Sequence, residues 1–305
     1  MKQRVLVLGA QHFAAAKVQA ALAKSDWAVP VPFANSPDTL SATTLADIQG
    51  VFNGTMGSPA GILATAQALY GALQRANAAI RVVHLSSMTV YGSFEGRALE
   101  STEPRADLGA YGAAQIEAEA LAARYAHSVI LRPGCEYGPQ CPQWSERIAR
   151  LLMAHRLGDL GAAGDGVCNL LFVDDLVAAV LASLRAPGIE GQRFNLAMRS
   201  PPTWNEYFIR FGRALGAVPI ARIGGRRLTV ESKLLAPPLK IMELLEQRLR
   251  SRSRSVPPPL TPSLLNLCGQ IVTLDVTKAE QALGLAWTPL REGLRQAAES
   301  AQSAH

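Results

Sequence analysis

The chain has 305 residues, 49% of them hydrophobic and 18% charged, with 30 Lys+Arg against 24 Asp+Glu and a formal net charge of +6. That composition excludes an intrinsically disordered or collagen-like chain, and the length suits one large domain or a core domain with a smaller partner. The longest apolar runs, such as Val177 to Leu181, fall far short of a bilayer span of ~20 residues. Met1-Lys2-Gln3-Arg4 followed by Val5 to Leu8 has no signal-peptide pattern, so the expected location is cytoplasmic.

Arg4 to Gly9 reads as a short strand buried on both faces and closed by glycine. Ala14 to Lys24 follows as a helix. Trp27 to Phe33 reads as a second strand, and Pro30 and Pro32 make it an edge or irregular one. Gly50 to Asn53 and Ile80 to Ser86 are further strands, separated by the helical stretch Ile62 to Asn77. Tyr111 to Ala126 is a helix rich in Ala and Glu, and Val129 to Leu131 a strand that stops at Pro133-Gly134. Strands alternating with helices predict parallel βαβ units and a doubly wound α/β sheet. After Pro139 the pattern loosens. Asp174 to Leu184 reads as a helix, Arg193 to Leu196 as a late strand, and about Pro289 to Ala298 as the last helix.

The four cysteines, Cys135, Cys141, Cys168 and Cys268, make no C-x-x-C pair and no zinc-like pattern with histidine, so they read as small buried residues and no metal is expected. Asp174-Asp175 reads as a pair capping a helix N-terminus. The excess charge is concentrated between Arg222 and Arg254, among leucines. A nucleic-acid binder would show a broader basic face with interleaved aromatics, so no nucleic acid is expected. A basic amphipathic helix can lie on an anionic membrane surface as a peripheral contact, or grip an anionic substrate; a solvated helix face is the plainer reading.

Chemistry is concentrated at a few places. Gly9-Ala10-Gln11-His12-Phe13-Ala14-Ala15 sits where a strand hands over to a helix, the place for a phosphate-binding turn. Only the first glycine of a G-x-x-G-x-x-G pattern is kept; His12 and Ala15 stand at the others. His12 either contacts a phosphate or fills the place of one. Further on come Leu85-Ser86-Ser87-Met88-Thr89-Val90-Tyr91-Gly92, Tyr111-Gly112-Ala113-Ala114-Gln115, Leu131-Arg132-Pro133-Gly134-Cys135-Glu136-Tyr137-Gly138-Pro139, and Leu171-Phe172-Val173-Asp174-Asp175-Leu176. With Leu283 to Leu294 at the end, this ordered set resembles the extended short-chain dehydrogenase/reductase family, the NAD(P)-dependent epimerases and dehydratases.

The resemblance implies a Rossmann-like sheet with a smaller, mostly helical C-terminal substrate domain. Residues 1–136 plus about 165–198 would form the dinucleotide-binding part, and about 137–164 plus 199–305 the substrate part. It implies NAD or NADP as cofactor, held at Gly9, Gln11, His12, Phe13, Asn35, Tyr111 and Pro133. It implies a homodimer paired through the helix that follows Tyr111, and a small-molecule substrate. Ser87 would hydrogen-bond the substrate oxygen and Tyr111 would pass the proton, with Gln115 beside it in the catalytic set. The chemistry is coherent, because hydride exchange at a carbinol carbon needs a proton moved on or off its oxygen.

Several positions depart from the family pattern. Gln115 stands where the family has a lysine that lowers the phenol pKa, so Tyr111 should keep its proton near a reference pKa of about 10. It could donate in a reduction and would be a poor base in an oxidation. Phe33-Ala34-Asn35-Ser36 carries no charge to read the adenosine ribose. Only seventeen residues, Ala34 to Gly50, connect the second strand to Val51, so the adenine side is expected to be truncated. Cys135 and Cys168 replace polar or basic positions of the sugar-nucleotide enzymes, which points away from a standard nucleotide sugar and towards a hydrophobic or anionic substrate. Glu136 and Glu103 are substitute acid/base candidates, each otherwise a solvated carboxylate. The favoured function is an NAD(P)-dependent oxidoreductase or epimerase-like enzyme. A redox-neutral lyase, isomerase or cyclase, and a non-catalytic nucleotide sensor or scaffold, stay open on the same fold.

Overall fold

The structure is a computed structural model that describes residues 2–77, 79–225, 227 and 260–303. Of the basic segment 222–254, residues 226 and 228–254 lie outside the described residues. In chain order come β1 (Gln3–Leu8), α1 (Phe13–Lys24), β2 (Ala28–Phe33), α2 (Ala42–Leu45), β3 (Gly50–Asn53), α3 (Pro59–Ala76), β4 (Arg81–Leu85), β5 (Gly96–Ala98), α4 (Ala110–Ala123), β6 (Ser128–Pro133) and β7 (Cys135–Tyr137). They are followed by α5 (Arg147–Met153), β8 (Leu170–Phe172), α6 (Val173–Arg185), β9 (Arg193–Leu196), α7 (Trp204–Ala214), α8 (Pro262–Cys268), β10 (Val272–Leu274), α9 (Thr277–Leu283) and α10 (Leu290–Ser303). No described helix is long and apolar enough to cross a membrane.

A six-stranded parallel sheet, in the order β2-β1-β3-β4-β6-β9, organises the first of two units: Met1–Gly134, Leu171–Arg199 and Leu274–Trp287. Side chains alternate along each strand between the two faces. Val5 and Val7 therefore enter a core with Val18 and Leu22 of α1 and Leu176 and Val180 of α6. Leu6 and Leu8 enter another with Ile62, Leu69 and Leu73 of α3 and Ala118 and Ala122 of α4. This two-sided burial is why β1 and β3 read as unbroken apolar runs.

The sheet ends at β2 for a backbone reason. Proline has no N–H, so β2 can donate to β1 only from the alternating residues Val29, Val31 and Phe33. Pro30 and Pro32 then face outward, where a further strand would need donors. The connection from Ala34 to Gly50 accordingly holds only a 3₁₀ turn, Pro37–Thr39, and the single-turn helix α2, whose Ser41 hydroxyl accepts the Thr44 N–H.

Residues 274–287, grouped on sequence with the C-terminal substrate part, pack with the first unit. Ala279 and Leu283 join its core, Lys278 donates to the Arg193 carbonyl at 2.9 Å, and Asp275 pairs with Arg97. Asp174 and Asp175 do not cap α6. The N-cap is Phe172, which makes no side-chain cap bond, and both carboxylates lie in the first turn, where they favour the helix dipole.

The second unit comprises Cys135–Leu170, Ser200–Thr273 and Thr288–His305. Its α7 opens with a capping box between Thr203 and Glu206 and buries Trp204, Tyr207, Phe208 and Phe211. Tyr207 stacks on Phe211 and meets Tyr137 edge-on, while Gly293 of α10 lies where a Cβ would overlap the Tyr137 hydroxyl. All four cysteines are buried free thiols.

Candidate functional site

The strand order reverses between β1 and β3, so the connections leaving their C-terminal ends run to opposite sides of the sheet and open a crevice. Gly9 closes β1 there with φ +74°, and a Cβ on it would lie 2.7 Å from Thr55 Cα and 2.8 Å from the Gly54 oxygen. This position needs glycine on both counts. The turn closes with His12 N–H donating to the Gly9 carbonyl at 2.8 Å, and α1 begins at Phe13. His12 makes no side-chain cap bond and the first turn of α1 carries no acidic residue. Helix N–H groups left without intrahelical acceptors thus point out of a positive dipole end. The imidazole leans towards Gly57, whose Cβ position is 3.3 Å from His12 Cε1, and burial draws its pKa below the ordinary histidine value.

A cavity of about 400 Å³ opens beside this turn. Its walls come from Leu8 to Gln11, from Phe33 to Asn35 at the end of β2, from Pro37 and Leu40, and from Thr55 and Thr65. The volume is within the ~300–1,000 Å³ range of small-molecule sites, and the wall is neutral, mixing apolar surface with amide and hydroxyl groups. The short connection leaves this cavity open, and its Pro37 and Leu40 supply a wall. Of the expected cofactor residues, Gly9, Gln11 and Asn35 line the cavity. Phe13 instead carries the Lys17 ammonium 5.5 Å from its ring centroid, and Pro133 is buried at the end of β6.

Two residues beyond β4, Ser87 is the N-cap of a 3₁₀ turn, Met88–Tyr91. Its Oγ accepts the Thr89 N–H at 3.2 Å, which leaves the hydroxyl hydrogen to donate. Tyr111 lies in the first turn of α4, and Gly112 next to it lets the helix close on the Ser87 turn: a Cβ there would be 2.9 Å from the Thr89 oxygen. Gln115, fully buried one turn on, donates its amide N–H to Tyr111 Oη at 3.1 Å. The phenol donates to Met56 Sδ at 3.5 Å. The lysine position of the family pattern is thus filled by a neutral amide in direct contact with the tyrosine oxygen.

Beneath this pair lies a buried polar network. Glu119 accepts Ser86 Oγ at 2.5 Å and takes a two-pronged bond from Arg132, Nε at 2.9 Å and Nη2 at 2.6 Å. Arg132 Nη1 donates to Tyr91 Oη at 2.9 Å, and Tyr91 donates to Asn195 Oδ1 at 2.6 Å. Burial opposes the guanidinium charge, but Glu119 and Tyr91 outweigh it and hold the Arg132 pKa above its ordinary value. The network fixes Ser86, and with it the direction in which the next residue, Ser87, leaves the strand.

Of the substitute acids, Glu103 is exposed, as a solvated carboxylate should be. Glu136 is not: it is partly buried on β7, and that burial pushes its carboxyl up to about 7. Sequence reasoning missed Met56, Thr55 and Thr65. The only signal available was the glycine pair Gly54 and Gly57 around Thr55-Met56, a spacing typical of loops that approach a backbone closely.

Residues 58–197 match the NAD dependent epimerase/dehydratase family. No curated protein matches the chain by sequence. Among solved structures, UDP-glucuronic acid 4-epimerase from Bacillus cereus, in complex with UDP-glucuronic acid and NAD, is similar with a TM-score of 0.73 at 19% identity, covering 99% of this chain and 100% of that one. UDP-glucose 4-epimerase from Thermotoga maritima, with UDP-glucose, is similar with a TM-score of 0.72 at 17% identity, covering 99% of both chains. RMD from Pseudomonas aeruginosa, complexed with NADPH, gives 0.71 at 18%, covering 99% of this chain and 100% of that one. At such identities the structures speak to fold, and the family match speaks to sequence. The chain therefore shares the Rossmann-type fold of these structures along its length, and its residues 58–197 are similar in sequence to the NAD dependent epimerase/dehydratase family.

Proposed function

We propose that the chain is an NAD(P)-dependent oxidoreductase or epimerase-like enzyme acting on a carbonyl or hydroxyl substrate. The observation that carries this reading is the Gly9 turn, with its uncapped α1 N-terminus opening beside a neutral cavity of about 400 Å³. Those residues fit a dinucleotide: backbone N–H groups suit a diphosphate, and the Phe33–Asn35 wall suits a nucleoside. The wall holds no charged side chain, so a ribose 2′-phosphate would find no cation there, which favours NAD over NADP. When bound, the nicotinamide would supply hydride exchange at a carbinol carbon. The chain's own residues manage the proton. Ser87 donates a hydrogen bond to the substrate oxygen, and Tyr111 delivers its proton to that oxygen while Gln115 occupies one phenol lone pair.

Titration with NADH and NADPH, followed by nicotinamide fluorescence and calorimetry, tests the reading. Micromolar binding, tighter for NADH, is expected; no binding of any oxidised or reduced form would refute it. Gly9→Ala is expected to weaken NADH binding about tenfold or more, because a left-handed φ and an overlap with the Thr55 backbone both displace the turn. Gln115→Lys is expected to move the pH optimum of turnover lower, because an ammonium beside the phenol favours its ionised form.

The substrate proposed is hydrophobic or anionic rather than a standard nucleotide sugar. Cys135 and Cys168 are buried thiols whose pKa values burial raises, so neither offers a phosphate a charged donor. A second reading, redox-neutral proton transfer, is supported by Glu136, whose carboxyl at about 7 is poised to exchange a proton near neutrality. Stoichiometric consumption of NADH during turnover separates the two.

A further inference from the structure

Two hydrogen-bond donors converge on one sulfur in the first unit. Tyr111 Oη donates to Met56 Sδ at 3.5 Å, and Gln115 Nε2, which also donates to Tyr111 Oη, reaches the same sulfur at 3.9 Å. A thioether is a weak acceptor, so the sulfur makes little claim on the phenol proton. That changes if the sulfur carries an oxygen.

Met56 is placed where a small reagent can reach it. It is partly buried at the edge of the α1/α6 core, on the loop between β3 and α3, and the next two residues, Gly57 and Ser58, are exposed. Met88, by contrast, is 7% exposed, and Met153, which is exposed, lies on α5 of the second unit. Hydrogen peroxide oxidises a thioether in one balanced step. The sulfur attacks one peroxide oxygen, the S–O bond forms as the O–O bond breaks, sulfur gives up two electrons, and the other oxygen leaves as water with both protons. The product is a polar sulfoxide in place of an apolar thioether. On the side of the sulfur that already faces both donors, the added oxygen stands nearer to them than the sulfur does, in the range of ordinary hydrogen bonds.

We propose that Met56 is a reversible oxidation site for hydrogen peroxide, and that its sulfoxide oxygen binds the Tyr111 hydroxyl and the Gln115 amide. The oxidised side chain then competes with the substrate oxygen for the Tyr111 proton. Oxidation turns the site off, and reduction of the sulfoxide turns it on again. Met56 is thus a positioning residue that acts through Tyr111. The inference rests on the reading of Tyr111 as proton donor given above, and it adds a covalent control of that proton.

The test exposes the wild type, Met56→Leu and Tyr111→Phe to graded hydrogen peroxide and stops the reaction with catalase. Peptide masses then report each methionine, thermal melts each protein, and NADH consumption the turnover. Met56 is expected to take up oxygen about tenfold faster than Met88, or more, because susceptibility follows exposure. At a dose that oxidises Met56 and spares Met88, wild-type turnover should fall about fivefold or more, since a general acid is withheld. It should return after treatment with the methionine sulfoxide reductases, one for each sulfoxide epimer. Met56→Leu should keep its own turnover through the same dose, which separates Met56 from the other methionines. In Tyr111→Phe the sulfoxide lacks its phenol, so oxidation should lower the melting temperature by several degrees more than in the wild type. Oxidation of Met56 no faster than of Met88, unchanged turnover once Met56 is oxidised, or equal melting losses in the wild type and Tyr111→Phe would each overturn the proposal. NADH that fails to bind the untreated wild type would instead bring down the oxidoreductase reading, while the masses and melts would still decide the oxidation site.

Discussion

Replacing Arg132 by methionine is expected to lower the unfolding free energy by about 3–5 kcal/mol, read as a drop in the urea midpoint. The guanidinium is 1% exposed and bonds Glu119 through two nitrogens and Tyr91 through a third. Removing it strands the Glu119 carboxylate, 4% exposed, with only Ser86 and the more distant Arg193, whose Nε is 3.7 Å away. The expense lies in that abandoned charge more than in the lost pair. Glu119→Leu combined with Arg132→Met should therefore recover much of the loss, giving a coupling energy of several kcal/mol in the double-mutant cycle. Additive single effects would show that Glu119 finds water or Arg193 instead. Because Ser86 hangs from the same carboxylate, Arg132→Met should also impair turnover more than NADH binding, as the Gly9 turn takes no part in the network.

How much of this could be read before the fold was known depends on the range of the interaction. The strands Gly50–Asn53 and Arg193–Leu196 were legible to the residue, the first from its apolar pair Val51-Phe52 and the second from its polar/apolar alternation, and β2 was legible as an edge because its prolines act on their own backbone. Gly9 was visible as a turn glycine, and Ser87 and Tyr111 by the motifs around them. The Gln115–Tyr111 contact is one helical turn long and follows from spacing alone.

Longer contacts left no mark. Met56, on the β3–α3 loop, meets Tyr111 across 55 positions, and nothing in Gly54-Thr55-Met56-Gly57 announces that contact. The return of residues 274–287 to the first unit has the same cause, since Asp275 and Lys278 find Arg97 and the Arg193 carbonyl only once the sheet exists. Glu136 was misjudged as a solvated carboxylate because β7 is three residues long, too short for alternation to announce which side chains turn inward.

His84→Phe is expected to change the way stability depends on pH, and the sign can be derived from the ring's surroundings. Tyr70 Oη lies 3.1 Å and Asn53 Nδ2 3.3 Å from His84 Nδ1. If both donate, Nδ1 is an acceptor, the proton sits on Nε2, and Nε2 has no partner. The ring is 1% exposed, and burial draws its pKa down to about 4, against a smaller opposing pull from Glu119. An unfolded histidine takes up its proton near 6.5, while the folded one refuses it until about 4, so the unfolded state binds more protons throughout that window. The contribution of His84 is present above pH 6.5 and is lost as the pH falls towards 4, a change of roughly 3 kcal/mol. Glu136 acts in the opposite sense. Its folded pKa of about 7 lies above the ordinary 4.5, so its contribution is present below 4.5 and is lost as the pH rises towards 7. The two slopes oppose each other across nearly the same interval, and the wild type should show little of either. The variants separate them. Relative to the wild type, His84→Phe should gain stability as the pH falls from 6.5 to 4, and Glu136→Gln should lose it from 7 to 4.5, each measured by urea unfolding at stepped pH. A difference between His84→Phe and the wild type that stays constant across that range would mean the folded ring accepts a proton as readily as the unfolded one, which a ring buried against Tyr70 and Asn53 could do only by opening.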